Sequence, residues 1–351
     1  MKIAFVIHSL TQGGAERAVS NLSLAMQHEH DVTIILFDTN KISYPYGGKI
    51  HDLNVHASSS KAMKIINIFK RASLLKKLYK QEQFDLVFAF LESAGYPSTL
   101  AYKDTIVSVR DNPSSLPKIY QPFLSRIYPR AKKVVACAKA IEEILIREHG
   151  LKNTITIQNA IDIQRAQQLS QETIDVHTPF ILAAGRLAPQ KGFDLLIDAY
   201  ANSSSKKHVD LIILGKGQER EALQAQINSH GLSSKIQLKG SVDNPFAYYS
   251  KASTFVLSSR HEGFPNILIE ALACACPAIA FDCPTGPNEI IEHNQNGLLV
   301  ETENVQALTT AIDELHKDEQ LQEKFRRNAS QSVQRLEPQK IAAEWLKLKN
   351  N

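Results

Sequence analysis

Short apolar runs alternate with amphipathic stretches along all 351 residues of the chain. In the first half, strand-like runs fall at residues 3–7, 33–37, 86–90, 105–109, 133–136 and 155–157. In the second half they fall at residues 180–183, 211–214, 236–238, 254–257, 278–281 and 298–300. Helical patterns separate most of them. This β-α alternation predicts an α/β protein with parallel sheets and helices on both faces. About twelve strands exceed one comfortable twisted sheet, so two Rossmann-like domains are expected. The seam is placed in the polar stretch 164–178, giving domains over residues 1–170 and 171–335. Residues 337–348 read as a closing helix with Trp345 and Leu346 on its apolar side.

Composition fits an ordinary soluble globular protein, with 43% hydrophobic and 22% charged residues. No apolar run approaches the roughly 18–20 residues needed to span a bilayer. The opening, Met1 to Leu10, has a short apolar core but runs into a glycine turn without a small-residue cleavage site. It reads as a first strand rather than a signal peptide. Cys137, Cys274, Cys276 and Cys283 include no C-x2-C pair, which favours buried thiols in a reducing cytosol over a metal site. The net charge of +4 is uneven: residues 1–175 carry 22 Lys+Arg and 16 Asp+Glu, the remainder 18 and 20.

The most informative stretch runs from Arg260 to Glu270. It follows an apolar strand at 255–257, turns through Gly263-Phe264-Pro265, and enters a helix at Asn266 with Pro265 at its first turn. A tight turn into a helix N-terminus gathers free backbone N–H groups and the positive dipole end at one spot. Glu262 and Glu270 bracket that spot. A phosphate held by N–H groups, with carboxylates to accept sugar hydroxyls, suits a nucleotide-sugar. The Glu262-x7-Glu270 spacing around Gly-Phe-Pro resembles the signature of the large retaining glycosyltransferase family that includes sucrose and glycogen synthases and many bacterial polysaccharide enzymes. An ordinary strand–turn–helix with one exposed and one structural glutamate is the competing reading.

Other motifs extend the resemblance. Gly185-Arg186 ends the first strand of the second domain, and Lys191-Gly192 lies at the next helix start. The resemblance implies that Arg186 and Lys191 neutralise the nucleotide diphosphate, which gains charge as the sugar–oxygen bond breaks. Gly215 follows the next strand, where the family's backbone approaches the nucleotide. Val242 falls where members hold the base. The turn Gly263, Phe264, Pro265 and Asn266 and the carboxylate of Glu270 complete the implied nucleotide site, with Glu270 on the ribose hydroxyls and Glu262 counted with Arg186, Lys191 and Arg110 as a catalytic residue. In the first domain, Gly13-Gly14-Ala15-Glu16-Arg17 looks like the opening of bacterial polysaccharide glycosyltransferases. It is not G-x-G-x-x-G, which argues against a nicotinamide or flavin fingerprint. Arg110 stands where many members carry a histidine near the transferred sugar. Residues 283–289 resemble a run common in surface-glycan transferases. No Asp-x-Asp occurs, which suits a site free of metal.

Between Lys61 and Lys80 there are seven cations and no acid, with Ile65, Ile68, Phe69, Leu75 and Leu78 at helical spacing. A second basic segment, from Lys118 to Lys133, interleaves cations with Tyr120, Phe123, Ile127 and Tyr128. These predict docking on an anionic membrane surface in preference to nucleic acid, for which no module is recognisable. A surface helix packed on the sheet is the plainer alternative.

The resemblance implies a GT-B architecture: two Rossmann-like domains facing a cleft, with the last helix crossing back to the acceptor-side first domain. It implies a retaining hexosyltransferase with no cofactor and no metal. The donor is a nucleoside-diphosphate sugar, with UDP as the expected nucleotide, and the acceptor a bacterial surface glycan or lipid-linked glycan. The expected location is cytoplasmic, peripheral on the inner face of the membrane. A catalytically silent sugar-nucleotide or glycan-binding accessory protein of the same fold is the alternative.

Overall fold

Strands that are apolar on both faces must be covered on both faces, and the chain builds two wholly parallel sheets from them. The computed structural model describes residues 1–11, 13–40, 42–56, 60–117, 120–176 and 179–350. One compact unit comprises Met1–Ala160 with Leu336–Asn351, and the other comprises Ile161–Arg335.

In the first unit the strands are β1 (Lys2–Ile7), β2 (Asp31–Leu36), β3 (Lys49–Asp52), β4 (Leu86–Phe90), β5 (Ile106–Val109), β6 (Lys133–Ala136) and β7 (Thr154–Thr156). Their order is β3-β2-β1-β4-β5-β6-β7, so the strand order reverses between β1 and β4. In the second unit they are β8 (Phe180–Ala184), β9 (Asp210–Leu214), β10 (Ile236–Gly240), β11 (Thr254–Leu257), β12 (Ala278–Phe281) and β13 (Gly297–Val300). Their order is β10-β9-β8-β11-β12-β13, with the reversal between β8 and β11. Ligands of such sheets bind beyond the carboxyl ends of the strands at these reversals.

Twelve runs were legible as strands; the thirteenth, β3, was not. Its Lys-Ile-His-Asp sequence sits at a sheet edge with three of four residues exposed, so no apolar signal marks it. It forms because its backbone pairs in register with β2, Thr33 opposite Lys49 through Leu36 opposite Asp52.

The closing helix, Pro338–Lys347, belongs to the first unit. Trp345 is fully buried, its ring centroid 5.0 Å from Phe88 and 5.4 Å from Phe90 on β4. Aromatic contacts of this kind add about 0.5–1.5 kcal/mol each beyond burial. Lys349 secures the end of the tail with a 3.0 Å ion pair to Asp85.

At the end of β4, Leu91 takes φ 66° and ψ 162°, a region costly for a residue with a Cβ. Helix Glu92–Ala101 starts there. Burial among neighbours that include Tyr96 and Tyr128, with a smaller contribution from Asp111, raises the Glu92 carboxyl to about 7. The folded state therefore keeps a proton that the unfolded chain releases near 4.5. Stability is lost as pH rises through this window and is level above it. Glu92→Gln is expected to gain about 2–3 kcal/mol relative to wild type between pH 4 and pH 8. The chain's single tryptophan, Trp345, reports unfolding of this unit in urea. An equal stability difference at both pH values would contradict the assignment.

Candidate active site

The reversal between β8 and β11 gathers most of the chemically distinctive residues of the second unit. After β8 the chain passes through Gly185, exposed Arg186 and fully buried Leu187 into a single 3-10 turn, Pro189–Lys191. Gly192, at φ 59°, then opens helix Phe193–Asn202. A Cβ at Gly192 would lie 2.0 Å from the Ser258 carbonyl oxygen, so only glycine lets this loop meet the loop after β11.

Those two loops are bound tightly together. The Arg260 guanidinium donates to Asp194 through Nη1 at 2.9 Å and Nη2 at 2.7 Å, and to the Pro189 carbonyl at 2.6 Å. Its Nε reaches Glu303 at 3.1 Å, and its backbone N–H donates to the Gln190 carbonyl at 2.8 Å. Gln190 Nε2 donates to the His261 carbonyl at 3.0 Å, and Ser258 Oγ to the Lys191 carbonyl at 3.0 Å. Burial alone would raise the Asp194 carboxyl, but the paired Arg260 holds it below its ordinary range.

The stitching fixes Lys191. Its stem runs over Gly185, where an added Cβ would sit 3.3 Å from the lysine carbons. Its ammonium reaches Glu262 Oε1 at 2.5 Å. Ser259 Oγ donates to the same oxygen at 2.6 Å. The Glu262 carbonyl accepts from Thr285 Oγ1, so the 283–289 run also holds this glutamate in place. Lys191 and Glu262 are thus the two anticipated site residues that the structure brings into direct contact. Arg186 carries no ion pair among the described residues.

The neighbouring strand ends also meet here. Gly215, after β9, has φ 137°, and a Cβ on it would lie 1.8 Å from the Gly185 carbonyl oxygen. Close backbone approach at this point therefore depends on glycine. Val242, two residues beyond β10, is half-buried. Gly263, Phe264 and Pro265 are buried, and helix Asn266–Ala273 follows with Asn266 half-buried. Pro265 stands just before that helix rather than in its first turn, with φ −70° and ψ 104°. Glu262 and Glu270 are 6% and 4% exposed. Glu270 accepts from Tyr249 Oη at 3.5 Å. Glu262 therefore sits in a buried turn and not, as the competing reading had one of the pair, on the surface.

In the first unit, Gly13 and Gly14 lead from β1 into helix Gly14–Met26. Gly13 is extended (φ −157°, ψ 166°), and the Glu16 carboxylate occupies the space a Cβ would take. Arg110 follows β5 and bonds Asn159 Oδ1 and, at 3.3 Å, Ser108 Oγ, while its Nε has no hydrogen-bond partner among the described residues. These residues line the carboxyl ends of β1 and β5.

The basic helix, Lys61–Glu82, requires a correction. Arg71 is only 7% exposed: it donates to the carbonyls of Val55 at 2.8 Å and Ser93 at 3.3 Å and stacks over Phe37 at 4.2 Å. It ties the helix to the sheet and adds nothing to a surface charge. Phe69 also leaves the stripe assigned to it. Ile68, Leu75 and Leu78 are buried, whereas Phe69 is 61%, Ile66 53% and Met63 44% exposed. Lys64, Lys70, Lys76, Lys77 and Lys80 are exposed with them. Lys118 and the side chain of Lys61 lie outside the described residues. No helix among the described residues is long and apolar enough to cross a membrane.

Ser259, Arg260 and Asp194 were not anticipated as site residues. Asp194 and Arg260 lie 66 positions apart and carry no local signature.

Residues 164–332 match the family model for glycosyl transferases group 1, and residues 12–165 match that for Glycosyltransferase Family 4. The chain is 30% identical to the N-acetylgalactosamine-N,N'-diacetylbacillosaminyl-diphospho-undecaprenol 4-alpha-N-acetylgalactosaminyltransferase of Campylobacter jejuni, covering 99% of this chain and 98% of that one. It is 27% identical to the amylovoran biosynthesis glycosyltransferase AmsD of Erwinia amylovora, covering 98% of both. The crystal structure of Anabaena HepE in complex with UDP-glucose superposes with a TM-score of 0.81 at 22% identity, covering 99% of this chain and 98% of that chain.

Proposed function

The chain belongs to the family 4 type glycosyltransferases of GT-B fold, and from that premise we propose that it transfers a hexose or N-acetylhexosamine from a UDP-sugar to a lipid-linked or surface glycan, with retention and without a metal. The observation that carries this reading is the Lys191–Glu262 pair, held at the strand reversal beside exposed Arg186. In this reading the two cations receive the diphosphate, and the carboxylate a sugar hydroxyl. As the bond from the sugar carbon to the β-phosphate oxygen breaks, the charge that builds on that oxygen meets Lys191 and Arg186. Charge-assisted contacts of this sort form where they stabilise the transition state most. The acceptor oxygen bonds the same face of the sugar carbon and passes its proton to the departing phosphate. The acceptor class is supported by the Campylobacter and Erwinia relatives, and the nucleotide by the UDP-glucose complex of the structural relative.

Glu270 takes the ribose hydroxyls in this account. Glu270→Ala is expected to weaken binding of UDP by about 1.5–3 kcal/mol, as for a hydrogen bond to a charged group. Calorimetry reads this directly, and an unchanged affinity would return Glu270 to a purely structural role beside Tyr249.

Helix Lys61–Glu82 supplies the route to a lipid-linked acceptor. Its exposed Met63, Ile66 and Phe69 lie among exposed lysines, a composition that seats a helix at the boundary of an anionic leaflet.

Transfer onto a glycan carried on a lipid diphosphate, followed by proton NMR of the new linkage, tests the proposal. An α-configured donor should yield an α linkage. A β linkage would contradict retention, and failure to extend any lipid-linked or polysaccharide acceptor would contradict the acceptor assignment.

A further inference from the structure

We propose that Glu262 makes this site reject its own product, lowering the affinity for a free nucleoside diphosphate relative to the nucleotide-sugar. The inference rests on the proposed function of the site and adds a regulatory property to it.

The geometry leaves the carboxylate little freedom. Its Oε1 receives both Lys191 Nζ at 2.5 Å and Ser259 Oγ at 2.6 Å, its carbonyl receives Thr285, and its side chain is 8% exposed. Lys191 is equally constrained, with Ser258 on its carbonyl and its stem along Gly185. A diphosphate that reaches Lys191 therefore arrives beside Glu262, which cannot swing away. The ammonium has three donors and spends one on Glu262, so it can serve both. The second carboxylate oxygen, Oε2, receives no hydrogen bond among the described residues.

Donor and product differ at that oxygen. In the nucleotide-sugar the β-phosphate is esterified, and a sugar hydroxyl can donate to Oε2. After transfer the sugar is gone, and the β-phosphate is terminal. With a second pKa of about 6, it carries about one additional negative charge at neutral pH. The carboxylate then has no hydroxyl to accept from and faces an added like charge in a partly dry site. One residue thus favours the donor and repels the product.

The consequence is opposite in sign for the two ligands. In Glu262→Gln, UDP should bind roughly 10-fold tighter, as expected when a like charge a few ångströms away is removed from a partly buried site. UDP-glucose and UDP-N-acetylglucosamine should not tighten, because the lost sugar contact offsets the relief of charge. UMP, which has no β-phosphate, should bind as to wild type. Inhibition of turnover by UDP should strengthen in parallel. A Glu262 that served only as the structural counter-ion of Lys191 would behave differently: its loss would free the ammonium and tighten UDP and the two UDP-sugars alike.

Calorimetric titration of wild type and Glu262→Gln with UDP, UMP and the two UDP-sugars decides between these outcomes. UDP tightening without UMP or UDP-sugar tightening supports the proposal; unchanged or weaker UDP binding with intact UMP binding, or equal tightening of UDP and the UDP-sugars, overturns it. If the single variant does not fold, Lys191→Gln is compared with the Lys191→Gln, Glu262→Gln double variant, which leaves no unpaired charge. There too, loss of the carboxylate should tighten UDP binding, and its failure to do so overturns the proposal. Wild-type protein that binds none of UDP, ADP and GDP would instead overturn the functional reading beneath it, a result separable from both.

Discussion

Lys191→Ala is expected to lower turnover by roughly 10²–10³-fold, the scale for removing one preorganised donor to a developing negative charge. The size of the effect follows from how Lys191 is held. Its carbonyl is fixed by Ser258, its turn by Arg260 and Gln190, and its ammonium by Glu262. A donor so constrained needs no reorganisation when charge appears on the leaving phosphate. Removing it also leaves the carboxylate of Glu262, a residue 6% exposed, with Ser259 as its remaining side-chain donor among the described residues. Turnover must therefore be normalised to folded protein, measured by circular dichroism and thermal unfolding. A folded variant with turnover near wild type would remove Lys191 from the chemistry.

The second large effect is expected at a membrane. Replacing Lys64, Lys70, Lys76 and Lys77 by Gln should reduce binding to anionic vesicles by roughly 10²–10³-fold, because each exposed cation contributes up to about 1 kcal/mol near such a surface. Nucleotide affinity should be unaffected. Salt should weaken the wild-type interaction, since the charges act through solvent. Arg71 is left out of the set because its burial against Val55, Ser93 and Phe37 makes it part of the core. Co-sedimentation with anionic and neutral vesicles across a salt series reads the result. Equal binding to both vesicle types, or to neither, would reduce the helix to a charged element packed on the first sheet.

Arg71 and Phe69 show where sequence reading stops. A run of cations without acids reads as one solvated face, yet helical position decides each residue separately. Arg71 points at the sheet and satisfies backbone carbonyls, while Phe69 points outward. The sheets were legible because most of their strands are buried on both faces and so written as apolar runs. Strand β3 escaped because an edge strand held by backbone pairing needs no apolar code. At the site, Lys191, Glu262 and the glycines after β8 and β9 could be picked out because turn chemistry and charge occur at short spacing. Arg260 could not, since its partner Asp194 is distant in sequence and only the adjacency of β8 and β11 brings them together.

Nucleoside diphosphate released per glycan extended, from a panel of UDP-, ADP- and GDP-sugars in EDTA, decides whether the chain is a metal-independent UDP-sugar transferase. One diphosphate should be released per sugar transferred, from a UDP-sugar, at a rate that chelation does not change. Transfer that ceases in EDTA and returns with a divalent cation, or no transfer from any nucleotide-sugar, would contradict it.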